Sequence, residues 1–264
     1  MRKRNLNSEL NQYLKELRLP GMLASYEEQA DLARKESLSY EQYLMELVEH
    51  ERESRKEHRI ARYLKDSKIP LEKSLDTFDR SRLPQKVNAQ LSVLLDGSFI
   101  GRTENILAFG NPGSGKSHLL CALGQELIYQ GHRVLFKPCS ILVQEMLIAK
   151  RDLKLPKYLK KMSRYAALII DDIGYVQQDR QEMEVLFTLL ADRYERGSVM
   201  LTSNLPFSQW EKIFKDPMTT AAAIDRLVHH SIILELNIPS YRLEHSQIKM
   251  TKQKSMSEET VVIG

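Results

Sequence analysis

The chain has 264 residues, of which 42% are hydrophobic and 28% charged. This balance excludes a disordered or fibrous protein and leaves room for one α/β domain plus a smaller module. Its two cysteines, Cys121 and Cys139, lack metal-ligand spacing, which excludes a disulfide-stapled scaffold and points to a reducing cytoplasm. No apolar run approaches membrane-spanning length, and the Met1-Arg2-Lys3-Arg4 start lacks the apolar segment of a signal peptide, so no membrane association is expected.

The N-terminal third reads as helices only. Leu6, Leu10, Tyr13, Leu14 and Leu17 recur at helical spacing, and Pro20-Gly21 closes that segment. A second helix is expected from Met22 to about Lys35. Ser39-x-x-Gln42 is a capping box, flanked by Leu38 and Tyr43 as a hydrophobic staple, so a third helix starts at Tyr40. From Glu49 to Arg59 this helix is polar on every side. Its cations Arg52, Arg55, Lys56 and Arg59 are interleaved with Glu51, Glu53 and Glu57, which leaves two readings: a solvated, internally paired face, or a contact to DNA phosphates. Ile69-Pro70 breaks the helix and a hinge is expected from Lys68 to Asp79. The expected division is a helical N-terminal domain over 1–67, a linker over 68–83, an α/β domain over 84–245 and a flexible tail over 246–264.

Within the larger domain a helix opens at Pro84 and reaches Leu94 or Leu95. Five short apolar runs follow, at 105–109, 133–136, 167–170, 198–201 and 231–236, separated by helical patterns. Such continuous apolar runs fit buried strands of a parallel sheet covered on both faces, a three-layer α/β architecture. The clearest helix carries Met183, Leu186, Phe187, Leu190 and Tyr194 on one face, with Gly197 as its stop.

Gly110-Asn111-Pro112-Gly113-Ser114-Gly115-Lys116-Ser117 completes the pattern G-x-x-x-x-G-K-[ST]. It follows the first apolar run and opens the helical pattern of Leu119, Leu120, Leu123 and Leu127, the strand-loop-helix context of a phosphate loop. Its glycines let successive N–H groups face a polyphosphate, and the helix N-terminus adds partial positive charge. Lys116 is positioned to reach the β- and γ-phosphates and Ser117 to ligate Mg²⁺. A nucleotide polyphosphate with Mg²⁺ is therefore expected here, and the resemblance below makes that nucleotide ATP.

Two further strand ends carry chemistry. Asp171, at the tip of the third strand, is the candidate to hold Mg²⁺ through its water shell, and Asp172 is the candidate to orient or deprotonate an attacking water. Asn204, after the fourth strand, lies at the same sheet edge and is placed to position the water or sense the γ-phosphate. Between the second and third strands, Lys150, Arg151, Lys154, Lys157, Lys160, Lys161 and Arg164 face one anion, Asp152. A patch that dense is suited to a polyanion, and the spacing of Lys157, Lys160, Lys161 and Arg164 would put them on one helix face.

This set, together with Ala223-Ile224-Asp225-Arg226-Leu227 before the last strand, resembles the AAA+ ATPases of the initiator and helicase-loader group. Within that group it is most similar to the IstB-like helper ATPases of bacterial insertion sequences, through Leu19-Pro20-Gly21-Met22, Leu75-Asp76-Thr77-Phe78-Asp79, Ile170-Asp171-Asp172-Ile173-Gly174, Thr202-Ser203-Asn204-Leu205 and Ser240-Tyr241-Arg242. The resemblance implies an AAA+ P-loop NTPase fold with a five-stranded parallel sheet behind a small helical domain. It also implies ATP hydrolysis, self-association on duplex DNA and recruitment of a transposase. By the same resemblance Arg226 corresponds to an arginine finger and Arg242 to a second sensor, while Phe78 and His118 join the nucleotide-binding residues. Segment 150–164 falls where initiator-type members insert helices that line a DNA channel.

Many AAA+ members have Glu where this chain has Asp172. The shorter side chain reaches a water less well, so slow hydrolysis is expected, with ATP acting more as an assembly switch than as fuel. Rival readings are a helicase loader that prefers single-stranded DNA, a small-molecule phosphoryl transferase, and a nucleotide-gated scaffold.

Overall fold

The computed structural model describes residues 6–175, 180–210 and 217–241. The chain divides into two units, Met1–Arg62 and Tyr63–Gly264. The predicted tail over 246–264 and Arg242 lie outside the described residues.

The first unit holds α1 (Leu6–Glu16), α2 (Pro20–Glu36) and the start of α3 (Tyr40–Ser67). Leu14, Tyr26 and Leu47 form its small core, one residue from each helix. The capping box closes as the sequence requires: Ser39 N–H donates to Gln42 Oε1 at 2.8 Å and Gln42 N–H to Ser39 Oγ at 3.2 Å. Pro20-Gly21 opens a helix where the sequence pattern predicts the close of one. The turn after α1 places Arg18 at φ 57°, and Pro20 is the first residue of α2, where its missing N–H costs nothing.

The cap of α2 comes from a distant residue. Leu19, at the N-cap, offers no side-chain acceptor. Instead Glu51 of α3, 5% exposed, accepts the N–H groups of Gly21 at 2.7 Å and Met22 at 3.1 Å. Burial alone would push this carboxyl's pKa up, but Arg55 and the two N–H donors outweigh it and hold it below the usual carboxylate range. Arg55 also donates to the Arg18 carbonyl at 2.9 Å. Part of the stretch that reads as polar on all sides is therefore the framework of this unit.

The second unit adds α4 (Gln85–Leu94), α5 (Ser98–Gly101), β1 (Asn105–Gly110), α6 (Lys116–Tyr129), β2 (Val134–Pro138), α7 (Cys139–Arg151), α8 (Leu155–Met162), β3 (Ala167–Asp171), α9 (Arg180–Arg193), β4 (Ser198–Ser203), α10 (Pro217–Val228) and β5 (Ser231–Leu236). The strands form one parallel sheet in the order β2-β3-β4-β1-β5. This is the three-layer, five-stranded α/β fold that the apolar runs foretell. α6 packs against β1, β2, β3 and β4, and the opposite layer is built from α7, α8, α9 and α10. Leu119, Leu120, Leu123, Leu127 and Ile128 of α6 are fully buried, each contributing roughly 1.5–3 kcal/mol.

The expected hinge after α3 is instead a pinned strap. Ile69 is buried against α6, and the Gln125 amide of α6 donates to the carbonyls of Pro70, Leu71 and Lys73. A buried amide that meets three carbonyls fixes this segment over α6.

Candidate nucleotide site and nucleic-acid interface

The parallel sheet brings the ends of β1, β3 and β4 to one edge, because Ile170 is in register with Leu201, and Phe109 with Ser203. The phosphate loop leaves β1 at that edge and Lys116 opens α6. Gly113 (φ 79°) and Gly115 (φ 92°) take left-handed backbone that other residues resist. A side chain at Gly113 would overlap the Ser240 hydroxyl, and one at Gly115 would crowd the Phe78 ring at 3.3 Å. The Lys116 ammonium is nearly buried and donates to the Gly110 and Asn111 carbonyls at 2.8 and 2.9 Å. Ser114, also buried, has a hydroxyl without a hydrogen-bond partner. A cradle of left-handed glycines, a buried cation and an orphaned hydroxyl is the donor set a polyphosphate requires.

Beside the loop lies a cavity of about 240 Å³. Its walls come from the strap and from the chain after β5, including Thr77, Phe78, Arg82, Ile238 and Tyr241. Phe78 meets the His118 ring edge-on at 5.1 Å. His118 is bridged through Nε2 to Thr77 Oγ1 at 3.1 Å and to the Ser74 carbonyl at 3.0 Å. Burial lowers its pKa. The Arg82 guanidinium lies over the Tyr241 ring at 5.1 Å, and Tyr241 N–H donates to the Gly113 carbonyl at 3.0 Å. Sequence reasoning named Phe78 and His118, quoted Tyr241 only as part of the resemblance and gave it no site role, and missed Arg82 and Ile238, which no motif includes.

At the third strand end, the Thr202 hydroxyl links the two acidic residues. It donates to Asp171 Oδ1 at 2.6 Å and accepts the Asp172 N–H at 2.7 Å. Thr202 is 1% exposed, so this bridge is shielded from water. It engages Oδ1 of Asp171, and the register of β3 against β4 sets it up. Asp172 stands at φ 65°, a left-handed conformation that aspartate tolerates. Burial, and then the Asp171 charge, raise its pKa, while Lys116 opposes them. Asn204 packs against Gly174, where a Cβ would overlap its Oδ1, and that oxygen is buried without a hydrogen-bond partner. The sequence reading gives a role to Asn204 and none to Thr202, whose two contacts depend on the strand register.

Arg226 lies in the last turn of α10. Its guanidinium lies over the Phe187 ring of α9 at 4.7 Å and donates to the Ala222 carbonyl at 3.0 Å.

The basic segment spans the end of α7, a turn and α8. Lys150 pairs with Glu184 at 2.7 Å, and Arg151 and Lys154 each stand 3.7 Å from Asp152. Lys157, Lys160 and Lys161 are exposed on α8, whereas Arg164 follows the end of that helix at Met162 and so does not share its face. On α3, Arg55 is committed to Glu51 and Lys56 pairs with Glu53 at 3.2 Å, while Arg52 and Arg59 are exposed.

Similarity to known proteins agrees with this geometry. The profile of the IstB-like ATP binding protein family matches residues 12–249. An insertion-sequence ATP-binding protein of Sinorhizobium fredii is 42% identical, over 87% of this chain and 77% of its own length. The ATP-binding protein of insertion sequence IS5376 from Geobacillus stearothermophilus is 36% identical, over 94% and 99% of the two chains. Among solved structures, the DnaC helicase loader superposes with a TM-score of 0.54 at 16% identity, covering 64% of this chain and 98% of its own. AMPPCP-bound DnaA from Aquifex aeolicus gives 0.53 at 17% identity, covering 70% and 56%. At those identities the likeness shows a shared fold. With the phosphate loop, the Asp171-Asp172 strand end and the five-stranded sheet of DnaC and DnaA in place, the chain belongs to the IstB-like ATP-binding proteins of bacterial insertion sequences.

Proposed function

We propose that the protein is an ATP-hydrolysing helper of its insertion sequence, which self-associates on duplex DNA when ATP is bound and recruits a transposase to that DNA. The observation that carries this reading is the gathering of Lys116, the Asp171-Asp172 pair and Asn204 at one sheet edge, in a chain whose relatives are insertion-sequence ATP-binding proteins.

In this reading the loop residues 110–117 hold the phosphates, with His118, Phe78 and Tyr241 beside the nucleoside. Ser117 and Asp171 hold Mg²⁺, which neutralises charge on the transferring phosphoryl group. Thr202 fixes the Asp171 carboxylate and the Asp172 backbone, so that the Asp172 carboxyl is directed at an attacking water with Asn204 beside it. The raised pKa of Asp172 brings a weak base closer to neutrality. Arg226 reaches a neighbouring subunit's phosphates once it leaves Phe187. The cations of α7 and α8, with Arg52 and Arg59, contact the DNA backbone and carry little base information.

The test is fluorescence anisotropy of labelled duplex and single-stranded DNA with ATP, ADP or no nucleotide, across a salt series. Tight duplex binding that requires ATP, with affinity falling steeply in salt, is the expected result. A preference for single strands would move the protein to helicase loading, and no binding under any nucleotide would leave the basic segment a solvated face.

A further inference from the structure

Leu153 sits at the tip of the turn between α7 and α8 under three conditions that seldom coincide. It is 92% exposed. Its φ of 58° is left-handed, a backbone that glycine takes freely and that side chains resist. Its neighbours in sequence are the cations Lys150, Arg151 and Lys154 and the single anion Asp152.

The backbone explains the φ. Leu153 N–H donates to the Lys150 carbonyl at 3.1 Å and Lys154 N–H to the Ala149 carbonyl at 2.7 Å. These are the two bonds of a Schellman motif, with Leu153 at the position that glycine dominates. Of the seven non-glycine residues at positive φ among those described, the other six are Arg18, Ser37, Lys68, Thr103, Asp172 and Glu195, all polar. One exposed leucine is ordinary on any surface. A leucine in place of the favoured glycine, held outward at the apex of a basic hairpin, is not explained by the packing of this chain.

We propose that Leu153 is an apolar wedge for duplex DNA, which seats against a base step while the surrounding cations hold the phosphates on either side. The inference rests on the duplex-binding reading above. Arg151 and Lys154, with side chains 77% and 68% exposed, flank Leu153, and Lys157 and Lys160 are exposed on the helix that follows. That charge matches the backbone of DNA, and an aliphatic side chain placed between base pairs partly unstacks them.

Leu153→Gly tests this in the full-length protein, because glycine suits the left-handed turn and should keep or raise the melting temperature. With ATP and a short duplex carrying 2-aminopurine, wild type should bind and brighten the probe as its base unstacks. Leu153→Gly should bind roughly tenfold more weakly, lose the brightening and keep the salt slope, since no phosphate contact is removed. Leu153→Met should behave like wild type. If wild type binds duplex and Leu153→Gly matches it in affinity and probe signal, the wedge is wrong while the duplex-binding reading stands. If wild type does not bind duplex, both fall. Weaker self-association of Leu153→Gly without DNA, at unchanged duplex affinity, would assign Leu153 to a contact with a second copy and overturn the proposal.

Discussion

Asp172 combines a left-handed backbone with a carboxyl whose pKa is raised by burial and by Asp171. A raised carboxyl pKa means that the folded state binds the proton more tightly than the unfolded chain. Stability from this group is present below its ordinary value of 3.8 and falls as pH rises through the raised folded value. Above that window wild type carries the cost of a charged, partly desolvated carboxylate. Asp172→Asn removes the charge and tolerates the same backbone. The variant should be more stable than wild type at pH 7–8, with the gain shrinking as pH is lowered, while ATP turnover falls by about 10²-fold or more. Melts across pH and a phosphate-release assay check both. Turnover of wild type itself should lie below about 10 per second, the median for enzymes. The two buried thiols take no part in this chemistry: burial pushes Cys121 and Cys139 up to about 12, so neither is a thiolate near neutral pH.

Among the elements, the turn from α9 into β4 shows where the sequence is legible and where it is not. The five strands read correctly because a doubly covered parallel strand is a continuous apolar run, visible without any partner. Gly197 reads as the stop of α9, but Glu195 at φ 55° takes the left-handed position. Gly197 instead makes room for Arg193, whose guanidinium would lie 2.5 Å from an added Cβ. That guanidinium is buried and donates to the carbonyls of Met162, Tyr165, Ala166 and Ser198. Burial lowers its pKa to about 10, which still leaves it charged near neutral pH. Acceptors 27 to 31 residues away leave no periodic trace, so this hub could not be read in advance. The phosphate-loop and Asp171-Asp172 patterns are legible because they are local in sequence, whereas the Thr202 contacts come from a register that only the folded sheet defines. Gly197→Ala should lower the urea midpoint by an amount equivalent to about 1–3 kcal/mol, with the slope unchanged.

For the whole molecule, the proposed function asks one subunit to act on another. Arg226 rests on Phe187 of its own chain, so an intersubunit role requires it to exchange a cation–π contact for a neighbour's phosphates. Lys116→Ala and Arg226→Ala should each abolish ATP turnover alone, while an equimolar mixture recovers part of it, because some interfaces then pair an intact loop with an intact arginine. No recovery, together with a lowered melting temperature for Arg226→Ala, would make Arg226 a packing residue only.

The strand order has a consequence for how the chain is made. The strand that launches the phosphate loop lies between β4 and β5, the last two of the described strands to be synthesised. Asn105, at its start, accepts the N–H of Val199 and donates to the carbonyl of Leu227, partners 94 and 122 residues further along. At ribosomal speeds of about 5–20 residues per second, β1 waits for several seconds before either neighbour exists. Nascent chains that end before β4 should therefore fail to capture nucleotide although every residue of the loop is present, and the exposed edges of β1 make that interval the one most open to aggregation.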